Sequence, residues 1–313
     1  MRTLLVSGLG VAAALFAACG GGDDSTTTAA STAASSTAGS GGAGGAGGSG
    51  MASASTGIVT VPDCAGTSPA NPGKKVAVGT VKVKVQDKDG KGLPDTAIDV
   101  QVCGSDLCLY GKSTDGSYVV SNGGKELTDP ALKFGSQAGI KYLFWGGALP
   151  AAPDHDFGTV TAVALGAPGG KLAKGATVTS SGVSLTLDPD ARIEQELLAP
   201  EEEFAAVVFK PADGTFPALA ATTQAFDLVV GLGPADVDIC PPAKLSFPNS
   251  ESWPANAQVE LWVNGVKTYD NWAPYGTWAK VAEARVSADG KTVATVNGQG
   301  VPALAAYGVV LKK

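Results

Sequence analysis

Five cysteines and a single histidine carry the sharpest chemistry in this chain. Four of the cysteines, Cys64, Cys103, Cys108 and Cys240, follow the N-terminal region, and an even set of thiols in an exported chain points to two disulfides. Cys103 and Cys108 lie in VQVCGSDLCLY, where Gly104-Ser105-Asp106 is a ready turn between two strand-like runs. A bridge across that hairpin is the first choice, and Cys64 then pairs with Cys240 by elimination among three connectivities. Zinc chemistry would need a second closely spaced ligand pair; the Cys103/Cys108 spacing stands alone and His155 lies far away. His155 itself stands between Asp154 and Asp156 and reads as a solvated loop residue, neither base nor ligand. Asp87, Asp89 and Asp95 near Gly90 suggest calcium, but Lys91 occupies a place where an EF-hand-like loop needs oxygen. A plain turn is the better reading.

Catalysis by Ser–His or Cys–His would rest wholly on His155, and neither a nucleophile elbow nor an H-E-x-x-H run is present. Glu201-Glu202-Glu203 reads as a solvated turn and not as a carboxylate pair of the kind that hydrolyses glycosides. The chain is therefore read as non-catalytic, with no cofactor and no metal. One further concentration stands out: Trp253, Trp262, Trp272 and Trp278, with Tyr269 and Tyr275 among them. Exposed aromatics of this kind stack on sugar rings or anchor a protein partner. Tyr269, Trp272, Tyr275 and Trp278 are accordingly candidate ligand-binding residues. The competing reading is core, with Trp262 filling the buried face of ELWV and Trp253-Pro254 closing a loop.

The fifth cysteine has a different setting. Arg2 is followed by an apolar run from Leu4 to Phe16. That run is too short to cross a ~30 Å hydrocarbon core, which takes roughly 20 helical residues, and is the right size for a secretory leader. Leu15-Phe16-Ala17-Ala18-Cys19 resembles the bacterial lipobox, with Phe16 in place of the usual aliphatic residue. The resemblance implies a signal peptide at 1–18 and a Cys19 that carries acyl chains such as palmitate and begins the mature chain. An ordinary signal peptide with an incidental cysteine is the alternative. Two or three acyl chains, at ~0.8 kcal/mol per buried CH₂, would hold stably where one binds reversibly.

Residues 19–56 are almost free of large apolar side chains, so nothing offsets the entropy of ordering them. They read as a disordered Gly/Ser/Ala/Thr tether, spanning roughly 30–35 Å on average as a coil. Fully stretched, such a tether reaches on the order of 120 Å.

Beyond it, 57–313 is long enough for two domains. A net charge of −7 argues against nucleic acid, whose binders carry a basic footprint. It also argues against electrostatic docking on anionic lipid. With 43 glycines and 19 prolines the composition suits a turn-rich, all-β chain. Val81, Val83 and Val85 alternate with polar residues, as in a strand with one buried face. A turn at Asp87–Gly90 follows, and Ala97-Ile98-Asp99-Val100-Gln101-Val102 reads as the return strand. Leu93-Pro94 before that strand, the cysteine hairpin, and Thr114-Asp115-Gly116-Ser117-Tyr118 complete an order that resembles transthyretin-like domains. These are also known as carboxypeptidase regulatory-like and collagen-adhesin B-type domains, and the resemblance implies a β-sandwich spacer or accessory module over 57–166.

Further on, Gly169-Gly170, then Gly182-Val183-Ser184-Leu185-Thr186-Leu187, resembles the opening of a ZU-five domain. Gly233-Pro234 and Phe247-Pro248-Asn249 extend the match, while Asp190 and the run Asp236 to Cys240 depart from it. The resemblance implies a second β-sandwich over 167–313; the His-Phe-Ser step at which some relatives cut themselves does not occur. The expected whole is two β-sandwich domains behind a disordered tether, monomeric and held on a membrane by lipid in a bacterial cell envelope. Its expected role is adhesion or assembly with an envelope protein, with glycan binding through 253–278 as the alternative.

Overall fold

The computed structural model describes residues 71–136, 141–195, 203–211, 224–235, 237–267, 272–296 and 298–312. Cys19, the tether, Cys64 and Tyr269 lie outside the described residues, and so does the pairing of Cys64 with Cys240. The described residues contain strands and no α-helix, as the composition leads one to expect.

The first half forms two sheets. One has the order β4-β1-β7, with β1 at Lys75–Gln86, β4 at Ser117–Thr128 and β7 at His155–Thr161. The other has the order β3-β2-β5-β6, with β2 at Asp99–Cys103, β3 at Cys108–Tyr110, β5 at Ala131–Gly135 and β6 at Trp145–Ala148. The alternation read from sequence is the burial pattern: Val81, Val83 and Val85 are buried and Lys82 and Lys84 between them are exposed. Their buried faces meet Val100, Val102, Leu132 and Phe134 of the facing sheet in one cluster. Tyr118 closes it from β4, and its hydroxyl donates to the Leu93 carbonyl at 2.8 Å.

One expectation changes here. The strand after the Asp87–Gly90 turn does not return alongside β1. It passes through Pro94 and a turn in which the Ala97 amide donates to the Pro94 carbonyl, and joins the opposite sheet. Strand β1 pairs instead with β4 antiparallel and β7 parallel. Both strands still bury one face, which is all that alternation reports.

The second half is a 12-stranded sheet that curls nearly closed. It comprises β8 (Gly170–Lys171), β9 (Thr177–Ser180), β10 (Val183–Thr186), β11 (Arg192–Gln195), β12 (Glu203–Phe209), β13 (Leu228–Gly233) and β14 (Val237–Pro248). It continues through β15 (Gln258–Asn264), β16 (Trp278–Val286), β17 (Thr292–Thr295), β18 (Val301–Leu304) and β19 (Ala306–Leu311). The Ser180 hydroxyl bridges the seam: it accepts from the Ala206 amide at 3.0 Å and donates to the Ala167 carbonyl at 2.7 Å. Inside lies a large apolar cluster that includes Val183, Leu185, Phe204, Phe247, Leu261 and Tyr307. The final strand, β19, sits in the middle of the order between β13 and β15.

All described residues belong to a single compact unit. The sandwich cluster of the first half runs on into Val229, Trp278 and Ala306 of the second half. Where a two-domain chain would have a free linker, the Gly166 amide donates to the Ala206 carbonyl of β12.

Candidate functional site

The aromatic segment builds the junction between the halves. Trp278 is 8 % exposed and packs on Phe226 with ring centroids 4.7 Å apart. Tyr275, 3 % exposed, sits against Cys103 and Ala131 of the first half, and its amide donates to Asn71 Oδ1 at 2.9 Å. Trp272, 6 % exposed, belongs to the core of the second half. Of the candidate ligand-binding residues, Trp272, Tyr275 and Trp278 are thus enclosed by protein, and stacking on a sugar needs an open ring face. Trp262 is half-buried on the same junction, and Trp253 is a core residue.

Two polar residues that sequence reasoning missed complete this junction. Asn264, at the end of β15, is fully buried and bonded through its carboxamide to Gly146 of β6. Next to it the Ala148 amide donates to the Gly276 carbonyl, so Asn264 and Gly276 both extend the edge of the first half's sheet. Lys133 on β5 is 8 % exposed; its ammonium donates to the Val266 carbonyl at 3.2 Å. The same ammonium lies 5.6 Å from the Phe144 ring and 5.3 Å from the Tyr275 ring, and cation–π attraction offsets part of its lost hydration. In ALKFG the lysine reads as the outward residue of a strand. The outward face is there, but the second half covers it.

The other candidate feature is a shallow cleft of about 420 Å³ beside β1 and β7, lined by Thr80, Lys82, Asp154, His155 and Asp156. His155 is not in a loop: it opens β7, half-buried and stacked on Phe157 at 5.7 Å. Parallel pairing places it opposite Val81, whose side chain faces the core. Its Nε2 is enclosed, with no hydrogen-bond partner among the described residues. Both flanking carboxylates brace the backbone: Asp154 Oδ1 accepts from the Thr80 amide at 2.8 Å and Asp156 Oδ1 from the Gly158 amide at 2.9 Å. The cleft presents the Lys82 ammonium beside two carboxylates, each with one oxygen bonded to a backbone amide.

The remaining sequence candidates are placed as follows. Cys103 and Cys108 are joined by a disulfide across the β2–β3 hairpin, as expected. Cys240 is also disulfide-bonded. Asp87 Oδ1 accepts from the amides of Asp89 and Lys91, which makes a side-chain-braced turn. Among the described residues no three metal-ligating side chains converge. No family model matches the chain, and neither a curated protein nor a solved structure matches it.

Proposed function

We propose that the chain is a lipid-anchored, non-catalytic protein of a bacterial cell envelope that presents a rigid β body for adhesion or assembly with a protein partner. The observation that carries this reading is the lipobox-like run ending at Cys19, which passes directly into the Gly/Ser/Ala/Thr tether. Such an arrangement makes sense for a body that must be held at a distance and still reach. The interlocked halves support the presenting role, because buried hydrogen bonds across the junction let the body move as one piece on its tether. The transthyretin-like and ZU-five resemblances agree with it, since the first of these implies a spacer or accessory module. Three of the four aromatics of the glycan alternative are buried, which favours the protein-partner reading.

Fractionation and cross-linking test the two parts separately. Wild-type protein should sediment with the envelope, and Cys19→Ser should release it or stall its processing. For the partner, a photoreactive residue at Tyr110 or Val119, both 59 % exposed, should cross-link a discrete envelope protein. Unchanged sedimentation of Cys19→Ser would overturn the anchor, and cross-links to nothing but solvent would overturn the partner.

A further inference from the structure

The Cys103–Cys108 disulfide joins sulfurs in opposite surroundings. Cys103 is 0 % exposed, enclosed with Ala131 and Tyr275 at the junction. Cys108 is exposed at the start of β3, between Leu107 and Tyr110, which are also exposed. Thiol–disulfide exchange begins when a thiolate reaches one of the two sulfurs, and access decides which. We propose that this bond is an exchange site for a small thiol or dithiol, entered at Cys108, with Cys103 as the sulfur released.

A second observation bears on the reduced state that follows release. Its Sγ lies 3.5 Å from Oε1 of Gln101, itself only 1 % exposed. In the disulfide that sulfur carries no proton, so the approach is not a hydrogen bond. Once reduced and protonated, the same sulfur becomes a donor with an acceptor already in reach.

The chemistry balances with the thiol as reductant. The incoming thiolate bonds to Cys108 Sγ, and the Sγ–Sγ bond breaks with its electron pair on Cys103, which takes a proton from water. A second thiol then attacks the mixed disulfide, leaving the Cys108 thiol and the reagent as its own disulfide. The hairpin does not depend on the bond alone. The Gly104 amide donates to Leu107, the Gly111 amide to Val100 and the Ser105 amide to Thr128, each at 2.8–2.9 Å. Exchange can therefore proceed in the folded protein, and it opens a thiol directly against Tyr275 at the junction.

The test uses the folded full-length chain and reduced glutathione, quenched by acid and alkylation and mapped by peptide mass. The mixed disulfide should appear on Cys108 about tenfold or more over Cys103, with Cys103 alkylated only after denaturation. Separately, the free thiol of Cys103→Ala should react with maleimide about tenfold faster than that of Cys108→Ala, as its exposure requires. If either variant fails to fold, the wild-type map decides. An adduct on Cys103, or exchange seen only under denaturing conditions, would overturn the proposal.

Discussion

The carboxamide of Asn264 hydrogen-bonds both backbone groups of Gly146: Oδ1 accepts from the amide at 2.8 Å and Nδ2 donates to the carbonyl at 2.9 Å. A side chain here does what the next strand of a sheet would do. Gly146 is buried, so neither group has water to fall back on. Asn264→Ala would leave both unsatisfied, at about 1–3 kcal/mol for each group. A melting temperature lowered by several degrees is the expected outcome. Asn264→Asp, the same size without the donor, should be no better; an unchanged melt in both variants would mean the pairing contributes nothing.

Small residues on the outer face of the second half's sheet allow the close approach at the junction. A Cβ on Gly308 would overlap the ring of Phe226, which packs on Trp278. Gly308→Ala should cost about 1–3 kcal/mol by overpacking and should shift the tryptophan emission. At Gly231 the added Cβ would lie 2.8 Å from both methyls of Leu143, the far end of a flexible side chain. Gly231→Ala should therefore cost less than Gly308→Ala in urea unfolding, and the reverse order would contradict the packing.

Burial of the aromatics predicts what their removal does. Trp278→Ala and Trp272→Ala should each lose about 3–5 kcal/mol of stability, as large-to-small core changes do. In the wild-type protein a panel of soluble oligosaccharides should leave tryptophan emission unchanged. Quenching that disappears in Trp278→Ala with stability intact would restore the sugar-stacking reading.

Three groups set an alkaline limit. Burial raises the Tyr118 phenol, with Asp95, Asp99 and Asp115 adding to it, and burial with Asp87 raises Tyr142. Burial alone would lower the Lys280 ammonium, but its hydrogen bonds to Glu260 and Glu283 outweigh that and raise it. In each case the folded protein holds the proton more tightly than the unfolded chain. Their contribution is thus complete below the unfolded values near pH 10 and is lost as pH rises beyond them. Melting temperatures should be level from pH 8 to about 10 and fall above it, less steeply in Tyr118→Phe; a decline that begins near neutrality would contradict this.

Much of the fold was legible because β-structure writes its burial into every second residue. Val81, Val83 and Val85 announce a one-faced strand, and Val183 and Leu185 another. The same pattern is silent on which sheet a strand joins, and so β2 was expected beside β1 and lies opposite it. Lys133 shows a related limit: alternation marks it as outward, and only the second half's packing makes outward buried. A lone histidine between two acids reads as a solvated loop residue, whereas those carboxylates brace the start of β7. Of the aromatics at 253–278, Trp262, Tyr275 and Trp278 pack at the junction, while Trp253 and Trp272 fill the second half's core. Aromatic burial works alike within and between molecules, so composition could not tell core, junction and open surface apart. Asn264 left no sequence signal, since Asn-Gly at a strand end reads as an ordinary turn.

The proposed lipid anchor is tested most directly by the mass of the mature N-terminal peptide recovered from membranes. The expected peptide begins at Cys19 and carries a diacylglyceryl group on sulfur. A mature chain that begins elsewhere, or an unmodified Cys19, would contradict the anchored reading.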